Sequence, residues 1–93
     1  MIVIRWSPAS RRNIKDIRDY LVERNASAAR WVMRLIHKRA KLLKEFPKSS
    51  SGINDTVLRK ASITGLPYVL LYRYCDRVVE IPRVHHTAQD WRE

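Results

Sequence analysis

The spacing of apolar positions changes along this chain, and each change marks an element. Residues 2–6 (Ile2, Val3, Ile4, Arg5, Trp6) are β-branched and aromatic, which predicts a short strand. Ser7-Pro8 follows. Ser suits a helix N-cap, and Pro at the first helical position gives up no hydrogen bond. Ile14, Ile17, Tyr20 and Leu21 then recur at three-to-four spacing to about Glu23, predicting an amphipathic helix with Arg11, Arg12, Lys15, Asp16, Arg18 and Asp19 on its outer face. Arg24-Asn25-Ala26-Ser27 breaks the pattern, and Asn25 or Ser27 can cap a second helix. The stripe of that helix is Ala29, Val32, Leu35, Ile36, Ala40, Leu43 and Phe46, and Pro47 stops it. So short a connection makes the two helices an antiparallel hairpin, each burying one stripe.

The period then falls to two. Lys48-Ser49-Ser50-Ser51-Gly52 reads as a flexible polar loop. A second strand is expected from Thr56 to Ile63, with Val57, Arg59, Ala61 and Ile63 on one face. Thr64-Gly65-Leu66-Pro67 turns the chain into a third strand, Tyr68 to about Cys75. Tyr68, Leu70, Tyr72 and Tyr74 share one of its faces, and Val69, Leu71, Arg73 and Cys75 the other. Cys75-Asp76-Arg77 is a hairpin turn, and the last strand runs from Val78 to about His85. Pro82 inside it argues for an edge position or a bulge. The expected fold is α+β, ordered β-α-α-β-β-β: a helical hairpin packed on one face of a small, mostly antiparallel sheet. The sheet's other face is then partly exposed, where an interaction surface can form.

The chain has 93 residues, enough for one domain over residues 1–93 with one modest core. Its net charge is +10, from 19 basic and 9 acidic residues. Residues 7–47 hold eleven basic side chains and four acidic ones, so the helical half carries most of the field. Such a field draws polyanions, a nucleic acid or an acidic peptide. Arg outnumbers Lys, and Arg is the better planar partner for phosphate or carboxylate. No apolar run approaches the roughly 20 residues of a membrane span, and residues 1–6 lack the layout of a secretory signal, so a cytosolic location is expected. The lone Cys75 fits a reducing compartment. His37, His85, His86 and Cys75 lack metal-ligand spacing, and no cofactor or metal is expected.

The candidate chemistry gathers on the last strands. Arg59, Arg73 and Arg83 sit on three successive strands, so a cross-strand basic patch is geometrically available once register allows it. Cutting RNA through its own 2′-hydroxyl needs a base, an acid and positive charge, which His85, His86, Arg59, Arg73, Arg83, Tyr68 and Tyr72 could supply, with His86, Arg83, Arg59 and Tyr72 the set for a nuclease. Alternation cuts against this, because Tyr72 and Arg73 face opposite ways, as do His85 and His86. The tyrosines fit packing beneath a helix better than base stacking. Arg11 and Arg12 on the first helix are candidate partner contacts. Trp31 is either core or a partner contact, and Trp91 docks onto the fold or a partner.

Taken together, Trp6-Ser7-Pro8 before Ile14-x-x-Ile17-x-x-Tyr20, Asn25-x-x-Ala28-Ala29, Leu43-x-x-Phe46-Pro47, Tyr68-x-x-x-Tyr72-Arg73, and Ile81-x-Arg83-Val84-x-His86 before Asp90-Trp91 resemble the ParE/RelE superfamily of type II toxins. The resemblance covers nearly the whole chain. It implies a toxin neutralised by a cognate antitoxin whose acidic or amphipathic C-terminal segment wraps the working surface, forming a hetero-oligomer. The RelE branch cleaves messenger RNA on the ribosome, whereas the ParE branch acts on DNA gyrase without being an enzyme in its own right. The chain lacks the RelE-type tail with a late catalytic Tyr and ends Asp90-Trp91-Arg92-Glu93, which favours the ParE branch. The resemblance thus implies a gyrase inhibitor causing growth arrest. Antitoxin or target contacts are expected at Arg59, Arg73, Arg83, His85, His86, Trp91, Arg11 and Arg12. An RelE-like endoribonuclease and a non-toxic, antitoxin-binding corepressor are the alternatives.

Overall fold

The computed structural model describes residues 1–48, 51–52 and 58–87. Among them the order is β1 (Val3–Trp6), α1 (Pro8–Arg24), α2 (Ala26–Glu45), β2 (Ser51–Gly52), β3 (Arg59–Ser62), β4 (Tyr68–Cys75) and β5 (Val78–His86). The expected β-α-α-β-β-β order is present, with one addition. Ser51–Gly52, expected as loop, pairs antiparallel with Arg59–Lys60 as a two-residue strand at the sheet edge. The second expected strand is shorter than its pattern suggested, and Thr56 and Val57 lie outside the described residues.

Capping chemistry sets the helix boundaries where the sequence placed them. Ser7 Oγ accepts from Ser10 N at 3.0 Å, with Pro8 opening α1. Asn25 ends one helix and starts the next. Its backbone N–H donates to Leu21 O at 2.7 Å, and its Oδ1 accepts from Ala28 N at 3.1 Å. One extended residue (φ −166°, ψ 102°) therefore suffices for the reversal. Phe46 caps α2 with φ −133° and ψ 65°. That backbone swings its ring off the apolar stripe, so Phe46 is exposed rather than buried as its spacing suggested. Tyr20 is also exposed. It lies to one side of the Ile14–Ile17–Leu21 line, and the Arg24 guanidinium stacks 3.7 Å from its ring centroid.

The sheet order is β1-β5-β4-β3-β2. All pairs are antiparallel except β1 with β5, which run parallel. The core lies between α2 and one sheet face: Val32, Ile36, Ala40 and Leu43 meet Ala61, Ile63, Leu70, Tyr72, Val79, Ile81 and Val84. Ile14, Ile17 and Leu21 of α1 close its side. The hairpin between β4 and β5 turns through Asp76 (φ 51°) and Arg77 (φ 63°), the pair of left-handed residues that a two-residue turn needs to match strand twist.

Pro82 lies on β5, an interior strand, just past the end of its pairing with β1, and a register shift lies opposite it between Leu71 and Arg73. Of the two expectations for this proline, the bulge is what forms. The neighbouring strand explains why it is tolerated. β1 ends at Trp6 opposite Ile81, so β5 runs on beside the start of α1 instead of a strand. Helix residues take over the ladder there. Ser7 N donates to Ile81 O at 3.2 Å, Ser7 Oγ donates to Pro82 O at 2.8 Å, and Asn13 Oδ1 accepts from Val84 N at 3.0 Å. Asn13→Ala orphans a partly buried N–H and is expected to cost about 1–3 kcal/mol, whereas Asn13→Asp keeps an acceptor and costs less. Urea unfolding of the two variants checks this, and equal losses would mean the bond carries no weight.

Candidate partner-binding surfaces

Residues directly opposite in a ladder share a face, so the register sorts every candidate side chain. Opposite the helices, β1 contributes Val3 and Arg5, β5 contributes Glu80, Arg83 and His85, β4 contributes Val69, Leu71 and Arg73, and β3 contributes Lys60 and Ser62. Arg5, Arg73 and Arg83 are exposed on this face. Glu80 stands opposite both Arg5 and Arg73. Arg73 Nε donates to Glu80 Oε1 at 2.9 Å, and a second guanidinium nitrogen contacts the same oxygen. This open face is not uniformly bare. Val69 and Leu71 are each only 3% exposed, and they stand outside the main core cluster.

The expected three-arginine patch is therefore corrected in one member. Arg73 and Arg83 share the open face, but Arg59 pairs with Tyr72 and lies on the helix-covered side. Lys60, one residue on, takes its place opposite Leu71. Arg59 shares its strand face with Ala61 and Ile63, as alternation expects, and both of those are buried in the core, which takes Arg59 to the covered side. Arg5 was not among the expected contacts, although its alternation with Ile4 and Trp6, which pack against the core, was signal enough to find it.

The four residues considered for RNA cleavage do not converge. Arg83 is on the open face, while Tyr72, Arg59 and His86 are on the other. His86 stands opposite Tyr68 at one end of β4, with ring centroids 5.5 Å apart, edge to face. Arg59 stands opposite Tyr72, four residues and roughly 13 Å along the strand. Tyr72 is fully buried, and its hydroxyl donates to Pro47 O at 2.8 Å, so it is a core phenol. Tyr68 and Tyr74 are partly buried against the same core, as expected for packing tyrosines. His85 and His86 fall on opposite faces. Trp31 is half-exposed and not core, and Trp91 lies outside the described residues.

The helices present a second surface. Arg11 and Arg12 are exposed on α1. Along the seam between the helices runs a trough made of two joined hollows of about 600 and 460 Å³, which share Arg18, Met33 and His37. Its floor includes Trp6, Ile14, Val22, Ala29 and Met33, and its rims carry Arg11, Lys15 and Arg18 from α1 and Arg30 and Arg34 from α2. Asp19 lies beside the α1 rim. Lys15 Nζ donates to its Oδ2 at 2.9 Å and, with Arg18 3.7 Å away, holds its carboxyl below the usual range. Burial pushes the Tyr68 hydroxyl up, with a further contribution from Tyr20. A phenol raised on folding is neutral in both states below pH 10, so its effect is felt only above that. As pH climbs from about 10 towards the folded value, the unfolded chain ionises first and stability drops. Tyr68→Phe is expected to flatten that alkaline loss in melts taken between pH 9 and about 11, and an unchanged slope would exclude Tyr68 as its source.

Among the described residues no helix is long and apolar enough to cross a membrane, and no group of three or more potential ligands could hold a metal ion. The described residues place a helical hairpin on one side of the sheet and exposed arginines on the other. The sequence matches the model of the ParE toxin of type II toxin–antitoxin systems, parDE, over residues 4–91, and the chain belongs to that family. It is 31% identical over 88 residues to the candidate toxin Y4kP of Sinorhizobium fredii, covering 95% of this chain and 91% of that protein. Among solved structures it resembles a chain of the chromosomal ParDE toxin–antitoxin system of P. aeruginosa (TM-score 0.81, 17% identity, 92% and 96% of the two chains). It also resembles YafQ of E. coli strain BL21(DE3) (TM-score 0.53, 16% identity, 95% and 96%). At these identities the two structures establish the fold.

Proposed function

We propose that this chain is a toxin that inhibits DNA gyrase by binding it, and that a cognate antitoxin neutralises it by covering its cationic surfaces. Membership in the ParE family supplies the frame. The observation that carries the choice of target class is the dispersal of His86, Arg83, Arg59 and Tyr72. One is separated from the rest by the thickness of the sheet, and one is a buried phenol bonded to Pro47. General acid–base cleavage needs its groups within hydrogen-bond reach of one phosphate, and this arrangement supports binding instead. The antitoxin's acidic or amphipathic segment complements both the arginines of the open sheet face and the basic rims of the inter-helix trough.

Expression of the chain without its antitoxin tests the reading. The expected result is filamentous cells with gyrase-dependent DNA breaks, suppressed by co-expression of the antitoxin. Prompt translation arrest with intact DNA would overturn it in favour of a ribosomal target. Tight antitoxin binding with normal growth would overturn it in favour of a corepressor.

A further inference from the structure

The strongest feature outside these surfaces is a pocket of about 350 Å³ at the other side of α1, where that helix meets the end of β5 and the start of β4. Asn13, Asp16 and Tyr20 line it from the helix, and Tyr68, Val84 and His86 from the sheet. Its lining holds one carboxylate, that of Asp16, and no arginine or lysine. In a chain of 19 basic and 9 acidic residues, Asp16 makes no ion pair among the described residues, although Asp19 on the same helix has two. Tyr20 and Tyr68 line the same pocket. One of them, Tyr20, already carries a guanidinium on its ring, that of Arg24, whose second contact is a bond to Tyr20 O at 3.0 Å. Asn13 Oδ1 is committed to Val84 N, which holds the helix wall of the pocket in place.

A carboxylate without an ion pair, in a pocket that two aromatic rings also line, favours cations. The carboxylate accepts charge-assisted hydrogen bonds, and the ring quadrupoles add attraction once water is partly excluded. It also repels phosphate and carboxylate, so the acidic partners drawn to the open face and trough have no use for it. We propose that this pocket is a socket for one cationic side chain, arginine or lysine, presented by a protein partner. On a surface whose long-range field attracts any acidic chain, such a socket supplies register. A partner fits fully only when it sets a single basic residue against Asp16 while its acidic groups meet the arginines elsewhere, and a wrongly placed partner leaves the carboxylate unmatched. The inference concerns a separate site and stands whichever target the toxin acts on.

The test uses the full chain, isotope-labelled for NMR, titrated with N-acetyl-arginine methylamide, with the lysine analogue, and with the neutral isostere N-acetyl-citrulline methylamide. Arginine and lysine analogues are expected to give saturable shifts at Asn13, Asp16, Ile17 and Val84 with dissociation constants in the millimolar range. The citrulline analogue should bind at least about tenfold more weakly. Asp16→Asn sits on an exposed helix position, leaves the remaining spectrum in place, and should remove the response to both cations. Tyr20→Leu, also exposed, should weaken it. Absence of saturable shifts would overturn the proposal. So would equal binding of citrulline, which would mean that the pocket reads shape and not charge, and so would a response that survives Asp16→Asn.

Discussion

Tyr72→Ala should leave the domain barely folded at 37 °C. Among the described residues Tyr72 is the largest fully buried side chain, set between α2 and the middle of the sheet, with its hydroxyl on Pro47 O just past the end of that helix. Removing a buried aromatic typically costs about 3–5 kcal/mol, and the orphaned Pro47 carbonyl adds to this. A domain of this size has about 5–14 kcal/mol in total. Tyr72→Phe keeps the ring and loses only the bond, so about 1–2 kcal/mol is expected. This pair of variants also bears on mechanism. A core phenol predicts that Tyr72→Phe, at matched folded concentration, remains as toxic as the parent. A large loss of toxicity in a folded Tyr72→Phe protein would give the hydroxyl a chemical role and would reopen the nuclease reading. Thermal melts and growth assays on the same preparations make the comparison.

The double charge reversal Arg73→Glu/Arg83→Glu should weaken the antitoxin complex by about 2–5 kcal/mol at low salt, with the domain still folded. Both side chains are exposed, so the fold does not depend on their burial. Losing the Arg73–Glu80 pair costs little, because that pair stands at the surface. The interface effect is larger. Two positive groups are lost, two negative ones appear, and Glu80 is left beside a new carboxylate. The loss should shrink as salt rises, since screening weakens attraction and repulsion together. Affinities of parent and variant at about 0.05 and 0.5 M salt settle it. Equal affinity at low salt would remove the open face from the antitoxin interface and leave the inter-helix trough as the cationic contact.

The caps, the helix lengths and the strand alternation were legible because they are local. Ser7, Pro8 and Asn25 do their work within four residues, and the Ala29–Leu43 stripe is long enough to fix one face of α2. What was illegible depends on partners distant in sequence. The place of Pro82 on an interior strand is decided by β1 ending early beside it, whereas the covered face of Arg59 was already implied by its alternation with Ala61 and Ile63. Tyr20 and Phe46 were assigned to the core because a 3.6-residue period cannot see a stacked Arg24 or a cap that turns the ring away. The socket at Asp16 left no trace at all in the pattern. Asp16 reads as one more outward charge on α1, and only the packing of that helix against Tyr68 and His86 gives it a setting.

The parallel pairing of β1 with β5 also governs when the molecule can come into being. The strand made last among those described lies second in the sheet, so a growing chain that stops short of Val78 has no bridge between β1 and β4. Its hairpin helices can form early, but the β5 share of the surface they cover, Val79, Ile81 and Val84, does not yet exist. Structure therefore arrives late and all together, after a contact spanning most of the chain has closed. A ribosome that has not yet reached Val78 therefore carries a chain whose first strand has nothing to join.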